Sequence, residues 1–225
     1  MFLSVVIPTY NPHIGRLTRT LSGLYSQTLA TNRWELVIID NASQDPDSFS
    51  SFDLSWHPLA RVVREEKLGL TSARLRGFAE TSGDIIVLVD DDNVLAPDYL
   101  EIVMKAFAAD NSLGATGGRS LPEFESTPPG WLREFDGLLA LRNLGDTTLH
   151  SIWTGDTPRT YPSCAPIGAG LALRRCGAVA YVEALAQDVR RLAFDRTGSQ
   201  LISGGDNDLV MTVLETGLAV TYLPS

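Results

Sequence analysis

Asp84-Ile85-Ile86-Val87-Leu88-Val89-Asp90-Asp91-Asp92-Asn93 decides how the rest of the chain is read. Five apolar residues, Ile85 to Val89, run straight into three carboxylates. An apolar run of this length, rich in β-branched residues, predicts a strand covered on both faces. Side chains alternate along an extended chain, so the pattern places Asp90 and Asp92 on one side and Asp91 on the other. Two carboxylates on one side repel unless protonated, solvated or neutralised. A hard divalent cation that prefers oxygen ligands, Mg2+ or Mn2+, would neutralise them. Ligands of open α/β sheets gather outside the carboxyl ends of the strands, where this cluster falls. A solvated acidic turn is the plainer alternative.

Working outward, strand and helix patterns alternate. Leu3 to Ile7 is expected as a first strand, ended by Pro8, with Thr9, Tyr10, Asn11 and Pro12 in a loop. Leu17, Leu21, Leu24 and Tyr25 fall at helical spacing. Trp34 to Ile39 reads as a strand that also meets an acid, Asp40, before a polar turn. Asp47 to Pro58 is loop-like. Arg61 to Arg64 is a short strand. A helix is expected over Gly69 to Ser82, with Ala73 and Gly77 one turn apart for close packing. Pro97 suits a helix start, and Tyr99, Leu100, Val103, Met104 and Phe107 form its apolar stripe. Leu113 to Gly118 is another strand. This order predicts an α/β fold with a mostly parallel, doubly wound, Rossmann-like sheet and helices on both faces.

Beyond Gly118 the pattern weakens. Pro122 to Pro162 reads as long loops with one helix near Trp131 to Leu144. Ile167 to Leu173 is expected as a strand whose Gly168 and Gly170 mark a close approach of ligand or backbone. Leu185 to Leu192 reads as a helix. Gly204-Gly205-Asp206-Asn207-Asp208 leads into a helix carrying Leu209, Val210, Val213 and Leu214, and Val220 to Leu223 is a last strand.

Composition narrows the function classes. The 225 residues are 44% apolar and carry a net charge of −9. No basic run is present, so the reading is of no nucleic-acid partner. An acidic protein still takes an anionic ligand when a metal bridges carboxylate to phosphate. Cys164 and Cys176 give neither a disulfide framework nor metal spacing. The start, MFLSVVIP, lacks a basic region and meets Pro8 early, so no leader is expected. No run approaches the roughly 20 apolar residues of a bilayer span. A cytoplasmic protein is expected, with peripheral membrane contact compatible.

Candidate chemistry sits at the strand ends. Asp40 would accept hydrogen bonds from a sugar hydroxyl or a base N–H; a turn or capping aspartate is its structural alternative. Asp206 and Asp208 lie at a helix start, where the helix dipole favours anions, and plain capping competes with a catalytic role. Such a carboxylate would take a proton from a hydroxyl nucleophile. Arg74 and Arg76 precede the central strand and would pair with phosphate, although Arg76 reads better as solvated. His13, His57 and His150 share no spacing. Trp131 and Trp153 would stack on a sugar ring or pack in the core.

Six stretches occur in one order: VVIPTYN (Val5 to Asn11), ELVIIDNAS (Glu35 to Ser43), GLTSARLRG (Gly69 to Gly77), DIIVLVDDDN (Asp84 to Asn93), IGAGLALRR (Ile167 to Arg175) and GGDNDL (Gly204 to Leu209). Together they resemble the family 2 glycosyltransferases of GT-A fold. The resemblance implies one GT-A domain over 1–225, with a nucleotide-sugar half (1–118) and an acceptor half (119–225), and is compatible with C-terminal truncation. It implies inverting transfer from a nucleotide-diphosphate sugar, a UDP-sugar favoured by family usage, to a carbohydrate or glycolipid acceptor. In that pattern Pro8, Thr9, Tyr10, Asn11, Asp40 and Arg74 hold the nucleotide with Asp90 and Asp91. Asp92 and Asp90 hold Mn2+ or Mg2+, with Asp92 the favoured direct ligand. Asp206 matches the general base, with Asp208 the alternative. The chain departs from the pattern in three places. Many relatives carry Glu-Asp where Gly205-Asp206 stands. They often carry Asn in place of Lys67, and many have a metal-site His in a C-terminal extension. A nucleotidyltransferase is a second reading, opposed by the absence of a Gly-rich phosphate loop after the first strand. A non-catalytic nucleotide-sugar-binding protein is a third.

Overall fold

Apolar residues on both faces of the same strands divide the core in two. A computed structural model describes residues 1–45, 47–155, 159–196 and 203–224, without the side chains of 133 and 136–138. The elements are β1 (Leu3–Thr9), α1 (Ile14–Tyr25), β2 (Trp34–Asn41), β3 (Ala60–Glu65), α2 (Leu70–Glu80), β4 (Ile85–Leu88), α3 (Tyr99–Ala109), β5 (Leu113–Gly117), β6 (Leu149–Ser151), β7 (Ala172–Arg174), α4 (Arg175–Gln187), α5 (Gly205–Glu215) and β8 (Ala219–Tyr222). Leu3, Val5 and Ile7 of β1 pack with Leu36, Ile38, Ile85 and Val87 against α1 and α3. Val6, Val37, Ile39, Ile86 and Leu88 face the other way, towards α2, α4 and α5. The pleat's two-residue period thus builds a three-layer sandwich from near-continuous apolar strands.

The eight strands run in the order β3-β2-β1-β4-β7-β5-β8-β6. β3, β2, β1 and β4 pair in parallel, as do β5 and β8. β7 is antiparallel to both β4 and β5, and β6 to β8. Six of these strands therefore point one way, and the predicted doubly wound sheet is present. Gly77 lets α2 lie on β1, since a Cβ there would run into Val6 Cγ1. No helix among the described residues is long and apolar enough to cross a membrane.

Several boundaries differ from expectation. Pro8 does not end β1, which runs to Thr9. Val6 O accepts from Val89 N, so even-numbered residues of β1 face β4, whose pairing stops at Leu88. The missing N–H of Pro8 therefore faces no ladder partner. The expected strand Ile167 to Leu173 is reduced to Ala172–Arg174. Gly170 takes a left-handed φ of 81° that only glycine adopts readily, and its carbonyl accepts from the Tyr99 hydroxyl. The expected helix Leu185 to Leu192 is instead α4 followed by a 3-10 turn, Val189–Phe194. The helix near Trp131 is a 3-10 segment, Gly130–Leu138, and α3 starts at Tyr99, after Pro97. Strand β6 was not anticipated.

The adjacent arginines at the end of β7 have separate structural tasks. Arg174 donates to the Phe107 and Asp110 carbonyls at the end of α3 and to that of Leu113, the first residue of β5. Arg175 reaches back to Gly83, Phe78 and Thr81 at the end of α2. Both satisfy helix C-terminal carbonyls that lack intrahelical donors.

Candidate active site

Parallel pairing of β3, β2, β1 and β4 brings their carboxyl ends to one edge, and a cleft of about 490 Å³ opens there. Pro8, Thr9 and Tyr10 form one wall, Gly69 to Arg74 another, and Asp90 to Asn93 the floor, with Gly168 and Asp206 opposite. A second cavity of about 600 Å³ shares Asp92, Asn93, Ala140 and Ala169 with it.

The alternation expected for the three aspartates does not persist. β4 ends at Leu88, and the chain turns so that Asn93 N donates to Asp90 O at 3.2 Å. All three carboxylates therefore line the same cleft. Burial pushes the Asp90 carboxyl up to about 6: Arg74 opposes this, and Asp206, Asp92 and Asp91 add to it. Burial also raises Asp91, whose carboxylate is the acceptor for the Thr9 hydroxyl. Asp92 is the exposed member of the trio.

Arg74 is the hub of the opposite wall. It is 2% exposed, with Nη1 at 2.8 Å from Asp195 Oδ2 and Nη2 at 2.5 Å from Asp206 Oδ1. Burial works against its charge, but Asp206, Asp195 and Asp90 outweigh this and hold the guanidinium protonated. Residues two apart on a helix lie about 200° apart. Arg76 accordingly faces solvent and pairs with Glu80 at 2.8 Å. The same rotation separates the two candidate bases on α5. Asp206 faces the cleft and accepts from Gly168 N at 2.9 Å. Asp208 turns away to Arg191, whose Nε lies 3.0 Å from both of its oxygens. The glycines predicted to mark a close approach do so. A Cβ on Gly168 would stand 2.6 Å from Asp206 Oδ2.

Thus Pro8, Thr9, Tyr10, Arg74, Asp90, Asp91, Asp92 and Asp206 meet in one cleft, whereas Asn11, Asp40 and Asp208 are not in its lining. Asp40, 3% exposed, sits beside Thr9 across the sheet, accepts from Ser43 N at 3.0 Å and pairs with Arg64 Nη1 at 2.6 Å. Asn11, at a left-handed φ of 48°, links the loops after β1 and β2 through Ser43 and Gln44. Asn41 pins the next loop: it accepts from Gly69 N at 2.7 Å and donates to Lys67 O at 2.8 Å. Trp131 packs on Phe135 and Trp153 donates to Thr160 O; neither lines the two cavities. His13 caps α1, His57 is buried beside Trp34, and His150 meets Thr221.

Asp195, Arg196 and Asn41 also line the cleft and were not anticipated. Asn41 stands within a quoted motif and so was open to notice. Asp195 and Arg196 follow a 3-10 turn outside every recognisable pattern, and only three-dimensional proximity reveals them.

The donor set suits a hard cation. Asp90 and Asp92 offer carboxylate oxygens to the same cleft, and burial already raises the cost of ionising Asp90. Among the described residues no three His, Cys, Asp or Glu side chains form a metal cage. A cation held by one or two carboxylates and completed by a ligand's phosphate oxygens and water fits such a set.

Comparison with known proteins gives a consistent picture. The model of "Glycosyl transferase family 2" matches residues 4–173. A dolichol-phosphate mannosyltransferase of Pyrococcus furiosus is 33% identical over 113 residues, 47% of this chain and 30% of that protein. Validoxylamine A glucosyltransferase of Streptomyces hygroscopicus subsp. jinggangensis is 33% identical over 156 residues, 64% of this chain and 35% of that protein. These curated relatives are thus matched over about a third of their length. Among solved structures, the Pyrobaculum calidifontis mannosyltransferase PcManGT, in complex with GDP-Man and Mn2+, superposes with a TM-score of 0.64 at 22% identity, over 99% of this chain and 55% of that one. S. aureus TarS 1-349 with UDP-GlcNAc gives 0.62 at 17%, over 100% and 56%. Both are likenesses of fold, and they bear out the expected GT-A architecture.

Proposed function

The chain belongs to glycosyl transferase family 2, and we propose that its cleft transfers a sugar, with inversion, from a nucleotide-diphosphate donor to an acceptor hydroxyl with the help of Mn2+ or Mg2+. The observation that carries this reading is the convergence of Asp90, Asp92, Arg74 and Asp206 with the Pro8-Thr9-Tyr10 wall in one cleft. The donor lies in this cleft, its nucleotide along Pro8 to Tyr10 and the wall from Gly69 to Arg74. A UDP-sugar is favoured, and a solved fold neighbour that holds UDP-GlcNAc supports this choice. The neighbour that holds GDP-Man keeps guanine in the test.

Asp90 and Asp92 would hold the cation. When bound, it neutralises charge on the departing diphosphate. Asp206 takes the proton from the acceptor hydroxyl as that oxygen forms its bond to the anomeric carbon. The bond from the anomeric carbon to the diphosphate oxygen breaks on the opposite face, the leaving group takes the electron pair, and the centre inverts. Gly168 N–H and Arg74 orient Asp206 for this task. Asp208, held by Arg191, is left out of it. The acceptor enters through the adjoining cavity, bounded by Leu121 to Glu125 and Leu139 to Leu141.

The test is release of nucleoside diphosphate from UDP-glucose, UDP-N-acetylglucosamine and GDP-mannose, with water or simple glycosides as acceptor, in Mn2+ and in EDTA. Mn2+-dependent release from at least one donor, with an inverted anomer by NMR, is the expected result. Release unaffected by EDTA, or a retained anomer, would overturn it.

A further inference from the structure

Asp195 lies outside the matched residues 4–173 and outside every motif that carries the resemblance. It is nevertheless 4% exposed and lines the cleft. Its Oδ2 stands 2.8 Å from Arg74 Nη1, and Oδ1 accepts from the Arg196 backbone N–H at 3.2 Å. A second observation concerns Gly205. A Cβ there would run into Asp195 Oδ2, and would lie 2.6 Å from its Cγ and 3.1 Å from its Cβ. The Asp195 carboxylate therefore occupies the space into which any side chain at position 205 would project. Position 205 is glycine, and position 195 supplies the acid.

We infer that Asp195 is a positioning residue for the transfer, and that Asp195 and Gly205 form one unit whose requirement is a carboxylate at this point in space. The inference rests on the reading of Asp206 as the base. Arg74 is buried and presents a planar fork of donors. Asp195 occupies Nη1, so Nη2 alone reaches Asp206. Asp206 then keeps Oδ2 on Gly168 N–H and its carboxylate towards the cleft. Without Asp195, both arms of the fork are free to close on Asp206 as a bidentate pair, the stronger geometry. That movement turns the base away from the acceptor. A buried guanidinium that loses one of its two ion-pair partners also carries a desolvation cost, which draws Asp206 closer still.

The experiment compares Asp195→Asn, Asp195→Ala, Gly205→Asp, the exchange variant Asp195→Ala/Gly205→Asp, and Asp206→Asn. It reads Mn2+-dependent nucleotide release per folded molecule, the donor KM and the unfolding midpoint. Asp195→Asn, of the same shape, is expected to lower kcat by about 10- to 100-fold while donor KM moves less than about threefold. Gly205→Asp alone is expected to be impaired by collision with Asp195. The exchange variant is expected to recover about tenfold or more over Asp195→Ala, because the carboxylate returns to the same place. A purely structural role would lower the unfolding midpoint and leave kcat per folded molecule unchanged in Asp195→Asn; that result overturns the inference. So does an exchange variant no more active than Asp195→Ala. Asp206→Asn separates the two readings. If it retains full release, the base assignment fails. If it loses release while Asp195→Asn does not, only the positioning role fails.

Discussion

Gly168→Ala probes the base without touching it. Gly168 φ is not left-handed, so alanine fits its backbone, and the substitution acts by contact alone. The new Cβ would stand 2.6 Å from Asp206 Oδ2, against an ordinary contact of 3.4 Å, so the carboxylate must retreat by about 0.8 Å. Asp206 is 28% exposed on its side chain and has room to swing, so the fold accommodates the change. The retreat also stretches its 2.9 Å hydrogen bond from Gly168 N. A displacement near 1 Å in a positioned catalytic group costs on the order of 100-fold in rate, so a loss of about 30- to 100-fold in kcat is expected. Donor binding should stay within about twofold, because the Pro8 to Tyr10 wall and the Asp90–Asp92 floor are untouched. The assay is nucleotide release under saturating donor, with calorimetry for binding. Wild-type kcat in a folded Gly168→Ala protein would refute the placement of Asp206 as base.

Four further outcomes follow from the same geometry. Asp92→Ala is expected to abolish Mn2+-dependent donor binding measured by calorimetry; undiminished binding would sink the metal assignment. Asp208→Asn should retain release within about threefold, whereas loss there together with activity in Asp206→Asn would move the base to Asp208. The raised carboxyl of Asp90 makes its ionisation a cost to the metal-free fold, present above its folded value of about 6 and absent below its ordinary 3.8. Asp90→Asn should therefore stabilise the metal-free protein at pH 7.5 by on the order of 1–3 kcal/mol, an advantage that disappears towards pH 4 in urea unfolding. His57, 2% exposed, is held below the ordinary histidine value of 6.5 by burial, so its contribution to stability is complete above that pH and declines as pH falls. Leu59 N donates to its Nδ1 at 3.2 Å. His57→Asn, whose Oδ1 can take that bond, should flatten the loss of unfolding midpoint between pH 7 and pH 5; an unchanged slope would count against the assignment.

The first half of the fold was legible because its strands are buried on both faces. Ile85 to Val89 and Leu36 to Ile39 carry unbroken apolar runs, and each ends in acid where a parallel sheet places its ligands. The second half was less legible for a physical reason. Cys176, Gly177, Ala178, Ala180, Ala184 and Ala186 in α4 are small, so the contrast between buried Tyr181 and Leu185 and their neighbours is weak. The adjacent Arg174 and Arg175 lie just past the expected strand, and only their contacts with the ends of α3 and α2 show why they are paired. In the site, Asp206 and Asp208 look equivalent in sequence; helical rotation and Arg191 separate them. Asp40 reads as a nucleotide ligand at a strand end, and what the sequence does not show is that Arg64 from the next strand stands in register with it and engages its carboxylate. Asp195 carries no local signal, since its role depends on the missing side chain at Gly205.

The most direct test of a metal-dependent nucleotide site in this cleft is calorimetric titration of the protein with UDP, GDP, CDP and dTDP, each in Mn2+ and again in EDTA. Saturable binding of one nucleotide, lost in EDTA and lost again in Asp92→Ala, is the expected result. No binding of any of the four in Mn2+, or equal binding in EDTA, would contradict a metal-dependent nucleotide-sugar site in this cleft.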